Sequence, residues 1–193
     1  MSMVVSRVSV RSKVLIGVLV AVAIAGAVWV ASRIIVPVST RTPSPVPNAR
    51  TYSNAEHRFS VTYDSDAVTV GTTELPPGGL VTVLHFKHAY GGVWFISGLA
   101  HRNVNDAYLR NLLATEVRSY GPHVHLGSID PAVLGSLHGL ETGGVVGKGL
   151  EYLTFAVGRG RYAYVISAQT QPAAWHSLQS TIFQIVRSFS YTG

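Results

Sequence analysis

Two patterns of apolar and polar positions divide this 193-residue chain. From Val14 to Ser32 apolar and small side chains run on without a charge, and from Tyr52 onward they come in short alternating runs broken by glycine. Strict alternation is the period of a strand with one face buried. Phe59-Ser60-Val61-Thr62-Tyr63 shows it, and strand-like runs follow from Leu80 to Phe86 and from Val93 to Leu99. Ala89-Tyr90-Gly91-Gly92 separates the last two, so they are expected to pair as a hairpin. Leu150 to Val157 and Arg161 to Ala168 flank Gly158-Arg159-Gly160, where glycine can take the positive φ of a tight turn. That predicts a second hairpin.

Two segments switch to spacings of three and four. The first runs from about Val104 to Ser119, with Asn103 as the expected cap, Asp106 three positions on, and Gly121-Pro122 as the stop. The second begins near Pro172, which suits the first turn of a helix, and aligns Trp175, Leu178, Ile182, Ile185, Val186 and Phe189 on one stripe. Such a stripe belongs against a sheet. No unit of 20 to 50 residues recurs, which excludes a repeat architecture.

The run from Val14 to Ser32 differs in kind. As a helix rising about 1.5 Å per residue it can cross a hydrocarbon core of roughly 30 Å. Arg7, Arg11 and Lys13 precede it and only Arg33 follows closely, so residues 1–13 are expected in the cytoplasm and the remainder outside. Ala25-Gly26-Ala27 has the small-x-small form of a cleavage site, so secretion after cleavage near Ala27 is the competing outcome. The apolar run continues past that site through Val28-Trp29-Val30-Ala31, and Trp29 suits an interfacial position, which favours a retained anchor over residues 14–32. Residues 33–50 contain Pro37, Pro43, Pro45 and Pro47 and read as an extended spacer. Residues 51–193 then form one extracytoplasmic domain.

Charge narrows the partners. The formal net charge is +6, and Arg7, Arg11, Lys13, Arg33, Arg41 and Arg50, with no acid among the first fifty residues, account for all of it. The domain itself is neutral, whereas a nucleic-acid domain needs a basic surplus of its own to neutralise phosphates. No nucleic-acid partner is expected. The absence of cysteine removes disulfides, thiolate metal sites and a thiol nucleophile together.

The candidate chemistry is sparse. His123 and His125 would project to one face of a strand and could contribute two ligands to a metal, but a zinc site also needs a converging third. No Gly-x-Ser-x-Gly elbow is present, and the acids of the domain are scattered rather than paired in an apolar setting. Gly143-Gly144-Val145-Val146-Gly147-Lys148-Gly149 lacks both the phosphate-loop spacing and the hydroxyl after lysine, and reads as a loop flanking a strand. Arg159 and Arg161 at a hairpin tip, with Tyr162 and Tyr164 on the adjoining strand, are the residue types that carry the energetic centre of interfaces. They are the first candidates for a contact surface.

Phe59-Ser60-Val61-Thr62-Tyr63 near the start of the domain resembles the opening strand of PsbP-like domains. The end, Tyr164 to Trp175 followed by Ile185-Val186-Arg187-Ser188-Phe189, resembles their final strand and terminal helix. The resemblance extends over about residues 52–191 and takes in the LpqN-type envelope lipoproteins of the PsbP–Mog fold. It departs at Asp64, where proline usually follows the first strand, and in lacking a lipobox cysteine, whose place as an anchor falls to residues 14–32. What the resemblance implies is an α+β fold, an antiparallel sheet sandwiched by helices, in a non-catalytic accessory or binding module. The expected protein is therefore a membrane-anchored envelope module without a cofactor, binding a protein partner or a small apolar ligand. The alternatives are a metal-dependent hydrolase using His123 and His125, or a structural subunit of a membrane complex.

Overall fold

The computed structural model describes residues 46–75, 79–147 and 149–193. The expected membrane helix and most of the proline-rich spacer lie outside the described residues. Among those described, no helix is long and apolar enough to cross a membrane.

Among the described residues twelve elements follow one another: β1 (Ala49–Asn54), β2 (Phe59–Asp64), β3 (Val68–Leu75), β4 (Gly79–Phe86), β5 (Gly91–Leu99), α1 (Asp106–Ser119), β6 (Asp130–Leu134), β7 (Leu137–Val146), β8 (Leu150–Arg159), β9 (Tyr162–Thr170), α2 (Pro172–Arg187) and β10 (Ser190–Tyr191). Strands β3-β4-β5-β9-β8-β7-β6 form one seven-stranded sheet, and β1-β2-β10 a small second one. Every pairing is antiparallel. Both predicted hairpins are present as β4–β5 and β8–β9, and both predicted helices form.

Alternation sorts the side chains of the large sheet into two faces. On one, Leu84, Phe95, Phe155, Tyr164 and Ile166 pack with Phe59 and Val61 of β2 and with Ile182, Ile185 and Val186 of α2, forming the main core. On the other, Leu140 and Ala156 meet Leu109 and Leu113 of α1 in a smaller cluster. Phe155 and Ala156 are neighbours in β8, so the helices lie on opposite faces of the sheet. The small sheet shares the face that α2 covers. The stripe on α2 behaves as expected: Ile182, Ile185, Val186 and Phe189 are buried, and Trp175 and Leu178 pack against the core's margin.

Two local expectations change. The cap of α1 is Asn105, whose Oδ1 accepts the Tyr108 N–H at 2.9 Å, and not Asn103. The intervening Val104 is tied to the β8–β9 turn, its N–H donating to the Gly160 carbonyl at 2.7 Å. The glycine-rich stretch from Gly143 is not wholly a loop either, since Gly143 and Gly144 lie within β7. The Tyr152 ring of β8 lies over Gly144, where a Cβ would stand 3.2 Å from it, so a larger residue at this strand position would have to displace the ring slightly.

Candidate functional site: an arginine–tyrosine face

The four residues between β1 and β2 turn the chain tightly. The His57 N–H donates to Asn54 Oδ1 at 2.8 Å, and Arg58 closes the turn in the left-handed region at φ 53°. A non-glycine residue there must be held by its surroundings. Three contacts hold it: the Tyr164 hydroxyl donates to the His57 carbonyl at 2.8 Å and more weakly to the Arg58 carbonyl at 3.4 Å, and the Thr192 N–H donates to the Arg58 carbonyl at 2.9 Å. Burial pushes the Tyr164 phenol well above its ordinary range, reinforced by Tyr191 and Tyr162 and opposed by Arg58. It therefore stays protonated and able to donate. Tyr164 was expected on the contact surface; only 2 % exposed, it is instead a core residue that positions Arg58 from beneath.

The turn presents the Arg58 guanidinium 4.7 Å from the centre of the Tyr162 ring. Tyr162 meets Tyr191 of β10 with ring centroids 6.0 Å apart, and Arg159 stands 5.7 Å from the Tyr191 ring. The adjacent Tyr191 hydroxyl, with the nearby Tyr162 and Tyr164 phenols, raises the Arg58 pKa above the ordinary arginine value. Two guanidiniums thus bracket a tyrosine pair on an exposed surface, and Leu99, 59 % exposed, is the register partner of Tyr162 across β5 and β9.

The β8–β9 tip is clamped rather than free. Arg161 Nε donates to the Ala100 carbonyl at 2.9 Å, the Ala100 N–H donates to the Arg161 carbonyl at 2.8 Å, and Val104 joins Gly160 as described. Gly158 is needed where this loop crosses the hairpin, since a Cβ there would meet the Val104 side chain at 2.8 Å. Of the four residues picked from sequence, Arg159 and Tyr162 lie on the face, Arg161 braces its edge, and Tyr164 lies below it. Sequence reasoning missed Arg58 and Tyr191, which complete the face.

The histidine pair does not grow into a metal centre. His123 and His125 are exposed and flank Val124, which bridges to Val146 in isolation. Among the described residues no group of three or more His, Cys, Asp or Glu side chains converges to hold a metal.

A buried polar cluster beneath α1 has the residue types of a catalytic site. The Tyr120 hydroxyl bonds Thr154 at 2.8 Å, Glu116 at 3.2 Å and Ser167. Burial pushes the Glu116 carboxyl up, partly offset by its hydrogen bond from Tyr120, and burial with the nearby Glu116 pushes Tyr120 far up as well. Among the described residues no histidine bonds the Ser167 or Thr154 hydroxyl to serve as its base. The cluster ties the C-terminal end of α1 to β8 and β9. A carboxyl whose pKa is raised by folding favours the folded state below its ordinary value of 4.5 and loses that contribution as pH climbs through the folded value. Glu116→Gln is expected to remove this component, so that urea denaturation at pH 4 and pH 7 shows a smaller loss of stability for the variant than for the wild type; an unchanged difference would place the carboxyl in water.

No protein-family model matches the sequence, and no curated protein resembles it in sequence. The solution structure of cyanobacterial PsbP (CyanoP) from Synechocystis sp. PCC 6803 superposes over 80 % of this chain and 99 % of its own, with a TM-score of 0.55 at 10 % identity. The domain has the PsbP-like fold. A crystal structure from Bacteroides thetaiotaomicron VPI-5482 aligns over 75 % of this chain and 48 % of its own, at a TM-score of 0.46 and 13 % identity. At these identities the likeness to PsbP establishes the fold alone. The PsbP-like expectation drawn from the opening strand and the terminal helix thus agrees with the architecture, while the arginine–tyrosine face is argued from this chain's own residues.

Proposed function

We propose that this protein is a non-catalytic accessory module of the cell envelope, anchored in the membrane by residues 14–32, whose extracytoplasmic PsbP-like domain binds a protein partner. The observation that carries the reading is the face built by Arg58, Tyr162, Tyr191 and Arg159. None of its arginines is ion-paired among the described residues, and the residue types are those that dominate binding at interface centres. The PsbP-like architecture suits an accessory role, and the hydrolase alternative lacks a third donor beside His123 and His125 among the described residues.

Cross-linking in cells of the C-terminally tagged full-length chain, followed by recovery from the membrane fraction, tests the reading. The expected outcome is a protein that resists an alkaline wash of the membranes and captures one reproducible envelope protein. A tagged chain found in the medium would overturn the anchor, and the absence of any cross-linked protein would overturn the binding role.

A further inference from the structure

We propose that the partner of this face presents an acidic polypeptide segment, with carboxylates on Arg58 and Arg159 and an apolar side chain over Leu99 and Tyr162. The proposal rests on the binding-module reading and names the chemistry of its partner.

Charge comes first. Arg58, Arg159 and Arg161 gather at one edge of a domain that is neutral overall, and among the described residues none of them is ion-paired, although Glu56 shares the turn with Arg58. Arg161 spends its Nε on the Ala100 carbonyl. Arg58 and Arg159 stand over tyrosine rings, and the Arg58 side chain also packs against Gly193, contacts that restrain each guanidinium fork. Such a fork matches a carboxylate in two parallel hydrogen bonds, and its prior placement reduces the ordering that binding requires. Leu99 and the half-buried Tyr162 add an apolar floor beside the charges.

The apolar floor of Leu99 and Tyr162 beside the charges favours a polypeptide, which carries carboxylates and apolar side chains together, over lipid head groups, the other abundant anions at a membrane. The chain enters the domain at the end of the β1–β2 hairpin where Ala49 pairs with Asp64, and the Arg58 turn lies at the other end, beyond the pairing of Asn54 with Phe59. Strands rise about 3.4 Å per residue, so the hairpin sets the face roughly 17 Å from the point of entry.

The test uses the full-length protein in detergent micelles and a fluorescein-labelled short peptide alternating glutamate and leucine, with a glutamine–leucine peptide as its neutral counterpart. Fluorescence anisotropy is expected to show the glutamate peptide binding at least about tenfold tighter, with the advantage shrinking as salt is raised. Arg58→Gln with Arg159→Gln should abolish that advantage. Arg58→Lys with Arg159→Lys, which keeps the charge and loses the fork, should lose most of it. Thermal melting of each variant checks the fold, and the lysine pair carries the test if the glutamine pair melts early. Equal binding of the two peptides, binding indifferent to both variants, or a preference of the same arginines for phosphatidylglycerol vesicles over the peptide would each overturn the proposal. A cellular partner still captured by the glutamine pair overturns it while sparing the binding-module reading. Failure of the wild type to capture any partner overturns both.

Discussion

Phe59→Ala is expected to destabilise the domain by about 3–5 kcal/mol, the range for removing a large aromatic from a packed core. Phe59 is fully buried where the small sheet meets the large one. Its ring lies 5.8 Å from Phe189, 5.9 Å from Tyr52, and 6.1 Å from both Phe95 and Tyr164, so one truncation removes a partner from four aromatic side chains. Those four come from β10's approach, β1, β5 and β9, which cannot all collapse into the space without parting the two sheets. Against a typical total of 5–15 kcal/mol, this is a large share. The melting temperature should fall by roughly 10 °C for a domain of this size. Urea denaturation followed by tryptophan fluorescence checks it, and a loss below about 1 kcal/mol would mean that the small sheet does not seat on this ring. Phe59 also follows Arg58 directly, so the variant should bind the glutamate peptide more weakly even where it remains folded.

That link between core and face explains how much could be read from sequence. The hairpins β4–β5 and β8–β9 were legible because alternation and turn glycines are local signals. So was α2, whose stripe needs no knowledge of its partner. Tyr164 was misplaced because Ala163 to Ala168 are all buried, and a strand covered on both faces does not declare which of two tyrosines of equal parity lies deeper. The expected cap at Asn103 was displaced to Asn105, and the residue between them, Val104, bonds Gly160, which is distant in sequence. Arg58 and Tyr191 were invisible for the same reason. Strand β10 has two residues and thus no period to detect, and its pairing with β2 joins Tyr191 to Phe59 from opposite ends of the domain. The turn at Arg58 contains no glycine to announce its positive φ. In each case the deciding contact is long in sequence, and local pattern carries no trace of it.

Gly91→Ala is expected to be comparably damaging, about 4 kcal/mol, through the backbone rather than the core. Gly91 opens β5 at φ 119°, a region closed to side chains, and a Cβ there would fall 2.0 Å from the Gln169 carbonyl oxygen and 2.9 Å from the Thr170 Cα. Both obstacles are backbone, so no rotamer change relieves them. The strand pair must open at the rung where Gly91 faces Thr170, and the Thr170 hydroxyl loses its geometry to the Tyr90 carbonyl, now 2.8 Å away. The pairing of β5 with β9 joins the β3-β4-β5 half of the large sheet to the other half, so opening it weakens the sheet at its seam. Gly98 supplies the control: it lies in the same strand, opposite Ala163, and a Cβ there meets nothing within 4 Å. Gly98→Ala should change stability by no more than about 0.5 kcal/mol. Equal losses for the two variants would mean that glycine content, and not the approach of β9, governs this strand. Because Leu99 faces Tyr162 at the opposite end of the pairing, the Gly91→Ala protein that remains folded should bind the glutamate peptide as the wild type does. Phe59→Ala, which loosens the turn itself, should not, and the contrast separates the stability of the sheet from the integrity of the arginine–tyrosine face.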